Sequence, residues 1–219
     1  MTESDRIATS YRVDIPDWVQ DEVDAAGPVL ATREDRMSLV HRLAARNFRD
    51  GGGGPFAALV VESDTGRLVS AGVNRVLASN LSAAHAEVVA LSLAQKRLGR
   101  WDLGDAGSPA TELVVNWRPC AQCYGALLWS GVTTVVIAGD GPELERLTGF
   151  DEGPVRDDWA EQLEARGISL VRDVLREEAL EVYRDYAEFA GRGAVTVYNA
   201  RGTSSSPRGS GGAGPEDGR

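Results

Sequence analysis

Four short apolar runs set the limits on what this chain can become: "FAALVVE" (residues 56–62), "RLVSAGVN" (67–74), "TELVVN" (111–116) and "TTVVIA" (133–138). Each has the length and β-branched content of a strand, and the segments between them repeat apolar residues at helical spacing. The first two runs flank the turn sequence "SDTG" and read as a hairpin. The order over the whole chain is αββαβαβ(α)αβα, which predicts an α/β fold with helices covering a central mixed sheet.

The helical segments carry their own punctuation. Thr32 with Asp35 can cap a first helix whose apolar face holds Met37, Val40, Leu43, Ala44 and Phe48, and the glycines at 51–54 end it. From His85, apolar residues recur at Val88, Leu91 and Leu98 until Gly99, and a further helix runs from Cys120 to Ser130. Short helices at 142–147 and 159–166, a strand at 168–174 and a last helix at 177–190 complete the pattern. His41 falls on a face of the first helix and is expected to be structural. Residues 1–31 read as an irregular segment with Ile15, Pro16 and Trp18 packed on the domain, and 32–200 as the folded domain. Residues 201–219, with six glycines, four serines and two prolines, read as a flexible tail.

A formal net charge of −10 on 219 residues repels phosphate backbones and favours a small, neutral or cationic substrate over a long polyanion. No apolar run approaches bilayer length, and residues 1–18 lack the basic flank and apolar block of a secretory signal. The expected setting is the cytoplasm, where thiols stay reduced.

Scarce side chains are concentrated in two places. The only two cysteines sit in "RPCAQC", and one of the two histidines opens "HAEVVAL". Cys120 and Cys123, at i and i+3 of a helix start, can present two soft anionic ligands on one face, where the helix dipole favours thiolates. Alone, that pair is equally a redox dithiol, half of a metal site or a coincidence. His85 shifts the balance, because it starts the neighbouring helix of the same alternating layout, and such starts lie on one edge of a sheet. Two cysteinates and one imidazole leave a zinc ion one ligand short of four, as in catalytic sites. Glu87, two residues past His85, can bend over the helix end towards that open position as a general base.

H-x-E followed by P-C-x-x-C is the signature of the zinc-dependent deaminases. The chain resembles that superfamily in "HAE" and "PCAQC". It is similar to the guanine deaminase branch in "GGPFAALVVESDTGRLVSAGVNRV", "CYGALLWSGV", "GFDEGP" and "VYNA". The resemblance covers roughly residues 32–200. It implies a three-layer α/β/α sandwich of the cytidine deaminase type with a five-stranded mixed sheet, and one Zn2+ per chain on His85, Cys120 and Cys123. It further implies a homodimer whose carboxy-terminal segment contributes to a site. Glu87 matches the family's general base and Glu152 its second acidic proton shuttle. Asn74 matches a base-contacting asparagine and Phe56 an aromatic wall, and backbone N–H groups near Ala86 and Cys120 can steady an oxyanion.

The sequence departs from the branch beside the metal helix. Arg118 stands where glutamate is typical, after Asn116 and Trp117 in place of small residues, and Gln122 replaces methionine. Arg118 can point to solvent while backbone groups bind the substrate. It can also, with Trp117, reshape the pocket for a triazine such as ammeline, another aminopurine, a pterin or a nucleoside. The leading expectation is hydrolysis of guanine to xanthine and ammonia. A transfer-RNA deaminase is disfavoured by the acidic composition, and a non-catalytic zinc module by Glu87, which a structural site does not need.

Overall fold

The computed structural model describes residues 7–50, 52–193, 196–199 and 202–204. The expected tail lies outside the described residues apart from 202–204. Five strands form one sheet: β1 (Ala57–Glu62), β2 (Leu68–Val73), β3 (Thr111–Val115), β4 (Thr134–Ile137) and β5 (Ser169–Val171). The sheet order is β2-β1-β3-β4-β5, with β1 antiparallel to both neighbours and β3, β4 and β5 mutually parallel. The mixed five-stranded sheet expected from the sequence is the one observed.

Alternation along each strand divides the interior into two layers. Leu59, Val61, Val114 and Val136 face one way, onto α2 (Arg33–Arg49) and α8 (Arg176–Gly191). Ala58, Val60, Leu113, Val115, Val135 and Ile137 face the other way, among residues of α4 (Ala86–Leu98), α5 (Ala121–Leu128) and α7 (Trp159–Glu164). All of β1 and β3 is buried, as expected for strands covered on both faces. The Thr32 hydroxyl accepts from Asp35 N–H and the Asp35 carboxylate from Thr32 N–H, so the predicted cap is a reciprocal one. His41 is buried, with Nε2–H donating to the Leu175 carbonyl at 3.1 Å.

Four elements were not in the sequence reading. The segment expected to be irregular contains α1 (Asp17–Ala26), which buries Val19 against the core and lays Trp18 under the Arg46 guanidinium. A single turn, α3 (Val76–Ser79), precedes the His85 helix, whereas α6 (Glu143–Thr148) is the first of the short helices expected. Past α8, β6 (Val197–Asn199) pairs with β7 (Gly202–Ser204), so the first residues of the expected tail form part of a hairpin.

Candidate metal centre and active site

The register of the sheet dictates where the site lies. Ala57 pairs with Val73, Ala58 with Val115, and Val115 with Ile137. The start of β1, the end of β2 and the carboxyl ends of β3 and β4 therefore share one edge. Phe56, Asn74, the 116–120 loop and the loop after α6 all leave the sheet there. A crevice at the carboxyl ends of parallel strands is the usual ligand position in open α/β sheets.

Two helices begin at that edge with side chains that could hold a metal ion. His85 is the N-cap of α4 and Cys120 the N-cap of α5. His85 Nδ1 lies 3.4 Å from Cys120 Sγ and 3.5 Å from Cys123 Sγ, and the three ligand atoms all fall within 4.8 Å of one another. A tetrahedral zinc with ordinary Zn–S and Zn–N bonds needs an N···S separation of about 3.5 Å, so the donor set and its spacing fit that ion. The Cys120 thiol is pushed down to about 4, first by its hydrogen bond with Cys123 and then by His85, while Cys123 is pushed up. A cation held by the pair would stabilise the thiolate form of both, at the dipole-positive start of α5.

Beside the triad is a cavity of about 360 Å³, the scale of a small-molecule site. It brings together eight of the residues singled out from the sequence: Phe56, Asn74, His85, Glu87, Trp117, Arg118, Cys120 and Glu152. Cys123 lies beneath it, fully buried, and Ala86 is buried in the first turn of α4, where N–H groups have no intrahelical acceptor. Glu87 and Glu152 are both buried, and burial raises both carboxyls above the ordinary range, with the negative Cys120 adding to each. The Glu152 loop is tied to the metal helix, its carbonyl accepting from Ala121 N–H at 2.9 Å.

The departures beside the metal helix divide into scaffold and cavity wall. Asn116 is fully buried: Nδ2 donates to Pro55 O at 2.9 Å, Oδ1 accepts from Ala57 N–H at 3.3 Å, and its carbonyl accepts from the Tyr183 hydroxyl at 3.0 Å. Trp117 is 2% exposed, with its indole edge-on to Tyr183 and beneath the Arg176 guanidinium. Its Nε1–H donates to Gly141 O at 3.3 Å, so its ring is chiefly packing. Gln122 is exposed and donates to Ser82 O at 3.3 Å. Arg118 lines the cavity.

Three residues were not singled out in the sequence. Tyr198 of β6 accepts a hydrogen bond from Asn74 Nδ2 and packs its ring 5.1 Å from Phe150 and 6.1 Å from His85. Asn199 holds this segment down, accepting from Asp151 N–H at 3.0 Å and donating to Gly149 O at 3.2 Å. The "VYNA" resemblance marked the segment but not the tyrosine. Asn47, fully buried on α2, donates to both Gly54 O and Asn74 O at 3.0 Å, joining the glycine loop to the end of β2. No local pattern marks it.

Residues 30–139 match the cytidine and deoxycytidylate deaminase zinc-binding region. A curated relative, guanine deaminase of Bacillus subtilis, is 31% identical over 150 residues, spanning 68% of this chain and 90% of its own length. The chain belongs to the guanine deaminase branch of the zinc-dependent deaminases. Its fold is close to a crystal structure described as guanine deaminase from Nitrosomonas europaea, with TM-score 0.77 and 41% identity over 84% of this chain and 99% of that one. A further structure, of a protein in complex with 2,6-diaminopurine, superposes with TM-score 0.77 and 43% identity, covering 87% of this chain and 97% of that one. In this family setting the cofactor is zinc, and His85, Cys120 and Cys123 are positioned as its possible ligands.

Proposed function

We propose that this protein hydrolyses guanine to xanthine and ammonia. The observation that carries the reading is the meeting, in one small cavity, of a zinc-type triad with two buried carboxylates, Glu87 and Glu152. The reaction breaks the bond from C2 to the exocyclic nitrogen and forms a C2–O bond with water. Bound zinc supplies a lowered water pKa, so that a nucleophile is present at neutral pH.

The chain's own residues supply position and proton transfer. Phe56 and Asn74, at the β1 start and the β2 end, flank the base, and Tyr198 closes the cavity over Asn74. Glu87 takes the proton of the attacking water and returns it to the departing amine. Glu152 serves the ring nitrogen, where charge accumulates as C2 becomes tetrahedral. First-turn N–H groups near Ala86 and Cys120 offer donors to the developing oxygen. The size of the cavity and the net charge of −10 both favour a free base over a transfer RNA.

The working form is a homodimer in the cytoplasm. No charged residue occurs in α5, Trp129 at its end is 82% exposed, and nothing lies within 4 Å of a Cβ built on Gly125 one turn earlier. Such a face is suited to burial against a second copy. Both cysteines are free thiols, as a reducing compartment keeps them. Ammonia release measured across guanine, adenine, ammeline, pterins, nucleosides and transfer RNA tests the reading. Guanine is expected to give the highest kcat/KM, and a preference for a triazine or a polynucleotide would replace it.

A further inference from the structure

Two walls of the cavity are tied together by a residue that does not line it. Phe56 and Asn74 face the cavity, whereas Asn47 of α2 lies behind them. Asn47 is fully buried, and its Nδ2 gives one hydrogen to Gly54 O and one to Asn74 O, each at 3.0 Å. Two carbonyls facing one amide settle which end of it is the nitrogen. Both acceptors lead directly to a wall. Gly54 O also accepts from Phe56 N–H at 2.8 Å, and Asn74 N–H donates to Phe56 O at 3.0 Å. The main chain of α2 holds the same loop, Asn47 O accepting from Gly52 N–H at 2.8 Å.

Asn74 has little latitude on the side of this loop. A Cβ on Gly53 would lie 2.6 Å from Asn74 O and 2.7 Å from its Oδ1. That Oδ1 accepts from Val76 N–H at 3.3 Å, and Nδ2 gives one hydrogen to the Tyr198 hydroxyl. An amide nitrogen carries two hydrogens, so one is left for a ligand in the cavity. Its aim depends on where the Asn74 backbone is held, and Asn47 holds the Asn74 carbonyl. Asn47 makes no hydrogen bond to the metal triad, Glu87 or Glu152 among the described residues. We propose that Asn47 is a positioning residue for substrate binding, which fixes Asn74 against the Phe56 wall and acts on the base through Asn74. This rests on the guanine reading above, in which Asn74 flanks the base.

The test measures KM and kcat for guanine, zinc content and Tm in the zinc-loaded wild type, Asn47→Ala, Asn74→Ala and the double variant. Asn47→Ala is expected to raise KM about 10- to 100-fold, with zinc retained and kcat within about threefold of wild type. In the Asn74→Ala background the same change moves KM less than about threefold, the coupling expected of a residue that acts through another. Should Asn47→Ala fail to fold, Asn47→Asp, which keeps the volume but not both donors, carries the same comparison. A fall in Tm with KM unmoved would overturn the inference and leave the guanine reading standing. So would a change confined to kcat or zinc content, or KM losses that multiply in the double variant. A wild type inactive on guanine would overturn that reading and this one with it.

Discussion

Gly72 of β2 lies so close to Ala86 of α4 that a Cβ on the glycine would sit 2.4 Å from the Ala86 carbonyl oxygen and 2.5 Å from the Ala90 nitrogen. Only a residue without a side chain lets the start of α4, with His85 and Glu87 on its first turn, rest against the strand. Replacing Gly72 by valine pushes that helix outwards. We expect reduced zinc occupancy and a lower Tm together, measured on one preparation, whereas a substitution that only loosened packing would leave zinc unchanged.

Glu87 and Glu152 are separable by experiment. Glu87→Gln keeps the shape of the cavity and the three metal ligands but cannot take a proton from water. Its kcat should fall by about 10² to 10⁴-fold while zinc stays bound. Glu152→Gln should also lower kcat with zinc retained. Full turnover in that variant would remove the second carboxylate from the mechanism.

His41 makes stability depend on pH. Burial lowers its pKa from 6.5 to about 4, outweighing the Leu175 carbonyl and the Glu178 charge, both of which favour the proton. The unfolded chain binds a proton below 6.5 that the folded chain refuses until about 4. Stability from this group is therefore fully present above pH 6.5 and falls as the pH drops towards 4, by up to about 3 kcal/mol. Thermal melts from pH 7 to 4.5 should flatten in His41→Gln relative to wild type. Parallel pH profiles for the two proteins would assign the acid sensitivity to other groups.

Arg36 on α2 and Glu112 on β3 form an ion pair at 5% and 1% exposure, with Arg36 Nε also donating to Leu30 O at 3.0 Å. Removing one partner leaves a buried charge uncompensated, at a cost of about 3–5 kcal/mol. Glu112→Ala should lower the denaturant midpoint sharply without altering the metal site, and Arg36→Met with Glu112→Met together should recover much of the loss.

The strands, the main helices and the His85–Cys120–Cys123 cluster were legible because each depends on a local pattern. Periodicity marked β1 to β4, the Thr32–Asp35 pair marked the start of α2, and scarcity with spacing marked His85, Cys120 and Cys123. Phe56, Asn74 and Glu152 stood out only through the family resemblance, since their meeting in one cavity arises from sheet register and from a loop returning to the edge. The first helix was missed because it buries only Val19 fully and begins without a side-chain cap. Asn47 and Asn116 look like ordinary polar residues until the backbones they bridge are in place. Trp117 serves both core and site, its ring packing on Tyr183 while the residue lines the cavity. Tyr198 stands in a segment with no period, so nothing local pointed to it.

The most direct measurement is zinc per chain set beside ammonia release from guanine, for the purified wild type and for Cys123→Ser. One zinc per chain in the wild type, with both zinc and turnover lost in the variant, is the predicted result. Full turnover by protein free of zinc, or by a Cys123→Ser variant that binds none, would contradict it.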